Sequence, residues 1–225
     1  MTTLPAAPGS ARNWTIFRDD LLALLDRIAP HRAILAGHSM GATVSLMAAV
    51  ARPDRVRALV LAEPVLIPAK ARLTALLARV VGRDRPDLAD RAAKRRGTFA
   101  SFEAALAAYR GRGAFKTWPE ETVADYLKGG LAPATDGVRL CCTPSWEAET
   151  FRGTPSGAAR LARMVRCPVT LIRAADGTAS ASEVAAFARA HPATRVVKRR
   201  GASHFLPMEF PELVREEILR IAKTA

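Results

Sequence analysis

The sequence predicts an α/β fold, a mostly parallel sheet flanked by helices and interrupted by a helical insertion. Three observations carry this. Residues 32–36 (RAILA), 56–62 (VRALVLA) and 168–172 (PVTLI) are short, nearly continuous apolar runs, as expected of strands buried on both faces. A helical segment joins the first two, which makes a βαβ unit. From 69 to 165 helical segments follow one another and no strong strand is visible.

In chain order, residues 1–13 read as a loop rich in Pro, Gly and Ala. Phe17, Leu21, Leu24, Leu25 and Ile28 mark one face of an amphipathic helix, which Pro30 ends. The strand at 32–36 leads into Gly37-His38-Ser39-Met40-Gly41 and a helix over about 40–51. Pro53-Asp54 turns the chain into the second strand. The insertion carries helical patterns at 69–81, 86–96, 101–110 and 119–128, separated by Gly and Pro, including Gly129-Gly130. The β/α rhythm returns with the strand at 168–172, a helix near 181–190, a strand at 195–198 and a closing amphipathic helix through Leu213, Ile218, Leu219 and Ile221. The expected organisation is therefore a core of 1–68 and 166–225 with a lid or cap of 69–165.

Composition narrows the class. The chain has 225 residues, 49% of them hydrophobic, which suffices for a sizeable core. It has no apolar run long enough for a membrane span and no signal-peptide h-region. Cys141, Cys142 and Cys167 lack framework spacing, so a reduced, cytoplasmic setting is expected. The net charge of +13 comes from arginines scattered over the whole length. The densest clusters, Lys94-Arg95-Arg96 and Lys198-Arg199-Arg200, are short, and nucleic-acid binding is not expected.

The chemistry points to Ser39. A strand, G-x-S-x-G and a helix in that order give the setting of a nucleophile elbow. The turn is tight enough to strain the serine backbone, and Gly37 and Gly41 keep its neighbours small. The helix N-terminus favours negative charge on a substrate oxygen, and the Met40 N–H is the expected oxyanion donor. The competing reading is a helix-capping serine. A phosphate loop is excluded, because no Gly-Lys-Ser/Thr follows and GRGAFKT at 111–117 has Phe115 where glycine is required.

Of four histidines, His204 in GASHF follows the last strand, where open α/β sheets bind ligands. It is the expected base. His38, beside the nucleophile, is expected to project away from it. Two carboxylates sit at strand ends: Asp176 in LIRAADGT and Glu63 in LVLAEPV. Either fits the order serine, acid, histidine, with a slight preference for Asp176.

The segments DDLLALLDRIAPHRAILAGHSMGA, RPDRVRALVLAEPV, CPVTLIRAADGT and GASHFLPMEFPELV together resemble strands five to eight of the α/β-hydrolase fold. The insertion is similar to that fold's lid. The resemblance implies a partial α/β-hydrolase fold with its acid after strand seven, at Asp176, or after strand six, at Glu63. It further implies four strands and an oxyanion loop ahead of the elbow. Only 31 residues precede the nucleophile strand, so an N-terminally truncated hydrolase is expected, with strand five as an exposed edge open to homo-oligomer formation. The expected activity is serine hydrolysis of a small ester, thioester or related acyl compound through an acyl-enzyme. Alternatives are an inactive binding relative, or a carbon–carbon bond hydrolase or acyltransferase with the same triad. Trp118, Tyr126, Trp146 and Phe151 are candidates for lining the pocket or for packing the core. No metal-ligand cluster or dinucleotide fingerprint is present, so no cofactor is expected.

Overall fold

The computed structural model describes residues 13–29, 31–68, 88–155 and 157–224. Its strands β1 (Ala33–His38), β2 (Val56–Ala62), β6 (Val169–Asp176) and β7 (Thr194–Ser203) pair side by side in that order, all parallel. The chain divides into two compact units, Met1–Asn13 with Arg85–Thr154 and Trp14–Asp84 with Pro155–Ala225.

The second unit holds the parallel sheet. Side-chain alternation along β2 explains its unbroken apolar run. Leu59 and Leu61 face one core with Leu171 and Leu46, whereas Ala58 and Val60 face another with Ile172, Leu206 and Ile221. Both faces are covered, so both must be apolar. Truncating a fully buried leucine such as Leu61 to alanine is expected to cost about 2–5 kcal/mol.

Helices α1 (Thr15–Ile28), α2 (Met40–Ala51) and α7 (Ala181–Ala190) and the 3₁₀ segment Ala158–Met164 contribute to the first core. That segment lies inside the predicted insertion, yet it packs with the sheet. In α1 the buried stripe runs through Leu25, with Leu21 and Leu22 packed beside it. Leu24 and Ile28, read from sequence as part of that face, are exposed.

On the other face, α9 (Pro211–Thr224) buries Ile221 and the largely buried Glu217. Arg195 and Arg220 pair with Glu217 at 3.1 and 2.7 Å, and Arg220 also reaches the Thr170 hydroxyl at 2.6 Å. Strand β7 is longer than its sequence suggests. It is a sheet edge, and Arg195, Lys198, Arg199 and Arg200 stand exposed along it, where charge opposes strand pairing with another chain. The apolar pattern therefore understates its length.

The first unit is not purely helical. Two short strands, β4 (Leu131–Ala134) and β5 (Gly137–Leu140), form a hairpin, and β3 (Thr98–Phe99) pairs with β5, all antiparallel. Thr135 and Asp136 make the turn, and Gly137, the first residue of β5, takes φ 121°. A side chain there would lie 2.2 Å from the Phe99 carbonyl oxygen. These strands are too short for alternation to show. Gly129 and Gly130 do not break the preceding helix but complete it, since α5 runs Glu120–Gly130.

The remaining helices of this unit are α3 (Leu88–Ala93), α4 (Phe102–Tyr109) and α6 (Pro144–Arg152). Phe99, Tyr109, Phe115, Val123, Leu127 and Leu140 form its core. Trp118 and Tyr126 join an aromatic cluster there, 4.8 and 5.3 Å from Phe115, in packing roles. Trp146 is buried and Phe151 is exposed. The predicted helix at 69–81 lies outside the described residues. The pattern at 86–96 is represented by α3.

Candidate active site

Strand β1 ends at His38, and Ser39 turns the chain into α2 with φ 53° and ψ −117°. Such a φ is rare for a residue with a side chain. The turn is held by the Ser39 N–H, which donates to the Ala62 carbonyl at 3.0 Å, and by the Thr43 N–H, which donates to the Ser39 carbonyl at 3.2 Å. Gly37 is required, because a Cβ there would lie 2.5 Å from the Gly41 carbonyl. Gly41 is not required in the same way: a Cβ there meets nothing within 4 Å. The expectation that both glycines relieve crowding thus holds for Gly37 alone. Met40 is the first residue of α2, where backbone N–H groups lack intrahelical acceptors.

Strand β2 ends beside β1, and Glu63 follows it with φ 46°. Among the described residues, Ser39 and Glu63 are the two non-glycine positions with positive φ. Thr43, buried in α2, fixes the segment that leaves Glu63, accepting from the Val65 N–H at 3.0 Å.

The Glu63 carboxylate is fully buried. Its Oε1 accepts from the Ala174 N–H at 2.7 Å, and its Oε2 from the N–H groups of Thr178 at 2.8 Å and Ala179 at 3.2 Å. Burial alone would push this carboxyl up. The hydrogen bond to His204 and the three backbone donors outweigh it, so the group stays below the ordinary range and ionised. Gly177 gives the carboxylate its room, since a Cβ there would sit 2.1 Å from Oε2.

His204 follows β7. Its Nε2 lies 3.0 Å from Ser39 Oγ, and its Nδ1 lies 3.3 Å from Glu63 Oε2. The turn that carries it is clamped by Glu209 of α8 (Leu206–Glu209), which accepts from the Ser203 N–H at 2.8 Å and the Ser203 hydroxyl at 2.5 Å. The structure thus brings Ser39, His204 and Glu63 together. Asp176, the acid preferred from sequence, does not join them. It is exposed at the end of β6, and its backbone pairs with Ser203 past a bulge. The side chain that reaches the imidazole comes from the neighbouring strand end and passes over Gly177.

Two further residues touch His204. His38 does not simply project away from the site, because its Nε2–H donates to the His204 carbonyl at 2.7 Å, with the rings 4.9 Å apart. Burial lowers the His38 pKa and keeps the ring neutral. The Thr178 hydroxyl lies 2.8 Å from His204 Nδ1. Sequence reading missed both contacts. The adjacency of Thr178 to a strand-end Asp-Gly was the available signal for the second.

Among the described residues, no cluster of three or more His, Cys, Asp and Glu side chains could hold a metal ion, and no helix is long and apolar enough to cross a membrane.

The chain is similar to a 2-(acetamidomethylene)succinate hydrolase of Mesorhizobium japonicum, 29% identical over 203 residues, which are 90% of this chain and 68% of that protein. The crystal structure of E-2-(acetamidomethylene)succinate hydrolase superposes with a TM-score of 0.75 at 28% identity, covering 94% of this chain and 74% of the other. The peroxisomal alpha-beta-hydrolase Lpx1 of Saccharomyces cerevisiae shares the fold, with a TM-score of 0.71 at 20% identity over 92% of this chain and 58% of the other. The profile of the alpha/beta hydrolase family matches residues 3–217. The chain therefore belongs to the alpha/beta hydrolase family, and hydrolase is the activity class that this membership and the named relative support.

Proposed function

We propose that the chain is a serine hydrolase that cleaves a small acyl substrate, an ester, thioester or amide, through an acyl-enzyme. The observation that carries this reading is Ser39 Oγ at 3.0 Å from His204 Nε2, on a strained elbow at a helix N-terminus.

In this reading each residue has a role. His204 Nε2 takes the Ser39 hydroxyl proton as Oγ attacks the acyl carbon. The imidazolium that forms is stabilised by the Glu63 carboxylate, which is ionised and held by backbone donors. Negative charge on the carbonyl oxygen develops beside the Met40 N–H and the positive end of α2. The imidazolium then gives its proton to the leaving group. Water, activated by the same histidine, attacks the acyl-enzyme and releases the acid and free Ser39.

The substrate named for the relative, 2-(acetamidomethylene)succinate, is a dicarboxylate with an acetamide group, and its amide fits this acyl-transfer chemistry. It is the first compound to assay, beside a series of short-chain and long-chain acyl esters. The test of the reaction class is a fluorophosphonate probe. Covalent labelling is expected on the wild-type chain and is expected to vanish in Ser39→Ala. A folded wild-type protein that takes no label would overturn the reading in favour of a catalytically inactive binding protein.

A further inference from the structure

We propose that Thr178 is a positioning residue whose hydroxyl sets the ring angle of His204, with Glu63 supplying the charge. This rests on the reading of Ser39 and His204 as nucleophile and base.

A neutral imidazole has one N–H donor and one bare acceptor nitrogen. To take the Ser39 proton, Nε2 must be the acceptor, so Nδ1 carries the hydrogen. Two oxygens face that N–H. Thr178 Oγ1 lies at 2.8 Å, inside the ordinary hydrogen-bond range. Glu63 Oε2 makes the longer contact, at 3.3 Å, and already accepts from two backbone N–H groups at 2.8 and 3.2 Å. The hydroxyl is therefore the nearer partner, and the carboxylate adds a longer hydrogen bond and the charge.

The division of labour is consistent. A hydroxyl can donate to Nδ1 as well as accept from it, and donation would reverse the tautomer and leave Nε2 protonated against Ser39. The Glu63 charge nearby favours the proton on Nδ1 and rules out that reversal. The carboxylate thus selects the tautomer, and the hydroxyl fixes where the N–H points. Thr178 is anchored for this task, because its own N–H donates to Glu63 Oε2. One residue therefore ties the acid to the base, from the loop that Gly177 keeps open for Glu63.

Two substitutions test this. Thr178→Val keeps the shape and removes the hydroxyl, and Thr178→Ser keeps the hydroxyl. On an ester whose hydrolysis depends on Ser39, Thr178→Val is expected to lower kcat roughly 10–100-fold with KM within about twofold, as for other small losses of catalytic alignment. Thr178→Ser is expected to restore kcat to within about threefold of wild type. A second readout needs no substrate: the His204 Nδ1–H proton resonance of ¹⁵N-histidine-labelled protein is expected to move or broaden in Thr178→Val and to stay in place in Thr178→Ser. A Thr178→Val protein matching wild type in both readouts overturns the inference, as does a Thr178→Ser protein as slow as Thr178→Val. Loss of the Ser39-dependent reaction in wild type would instead count against the proposed function, and the resonance would still decide the role of Thr178.

Discussion

Glu63, just after β2, and Asp176, the last residue of β6, are carboxylates at neighbouring strand ends, and their surroundings differ in almost every physical respect. Glu63 is fully buried, takes a positive φ and has its carboxylate held by three backbone N–H donors. Asp176 is exposed, with its backbone paired to Ser203 past a bulge. A buried carboxylate without compensation is costly, and a strained non-glycine backbone adds on the order of 1–3 kcal/mol. Such costs persist where surrounding structure over-determines them. The end of β6 and the loop after it supply that structure: Ala174, Thr178 and Ala179 donate to Glu63, and Gly177 yields the space. One loop provides the charge, and the other provides its seat.

The largest expected effect comes from neutralising each carboxylate in turn. Glu63→Gln keeps the shape and removes the charge that selects the His204 tautomer. It is expected to lower the fluorophosphonate labelling rate and ester kcat by about 10³–10⁴-fold, the scale seen when a triad acid is made an amide. Asp176→Asn is expected to stay within about twofold, since surface changes of this kind are usually near neutral. Equal losses in the two variants would break the contrast between the loops.

The seat can be tested apart from the charge. Gly177→Ala places a methyl group 2.1 Å from Glu63 Oε2 and forces the carboxylate or the loop to move. A displacement of roughly 1 Å in a catalytic group can cost about 10²-fold, and a loss of that order in kcat is expected. Gly41→Ala serves as the counterpart. Its Cβ enters open space on a helix, so activity within a few-fold of wild type and a stability gain of up to ~1 kcal/mol are expected. Thermal melts and steady-state rates on both variants decide this. A tolerated Gly177→Ala would mean that Glu63 has other room.

The same contrast explains what the chain discloses as text. The strand runs VRALVLA and PVTLI show themselves because both faces of β2 and β6 are covered. The elbow shows itself because glycine, serine and a following helix leave a local pattern. His204 is legible from its place after a strand. The choice of acid is not, because it turns on a missing atom: the side chain that Gly177 lacks is what admits Glu63, and the two follow different strands. The hairpin of β4 and β5 is hidden for a different reason. Its strands have four residues each, too few for periodicity to separate from helix. The contacts of His38 and Thr178 with His204 are long-range, and beyond the Asp-Gly beside Thr178 no local pattern announces them.

The smallest effect concerns how the His204 turn is tied to the elbow. His38 Nε2–H donates to the His204 carbonyl, so the ring must carry a proton there while Nδ1 stays bare. Burial lowers the His38 pKa below 6.5, and the Coulombic effect of His204 acts in the same direction. The bond to the His204 carbonyl and the charge of Glu63 oppose them. The sign follows from proton counting. Between the lowered folded value and about 6.5, the unfolded chain binds more protons at this site than the folded one. His38 therefore contributes stability that is fully present above about pH 6.5 and is lost as pH falls through the folded value. His191 is shifted in the same direction by its burial and adds to the same window. A His38→Gln variant retains an N–H donor and cannot titrate. Its stability at pH 8, from denaturant unfolding, is expected to lie within about 1 kcal/mol of wild type, near the net worth of one hydrogen bond. Its stability is then expected to fall less steeply than that of wild type between pH 6.5 and 5, with His191→Gln as the matched control. A wild-type curve no steeper than the His38→Gln curve would show that the ring binds its proton as readily in the folded state, and that the elbow tolerates a charged histidine beside the base.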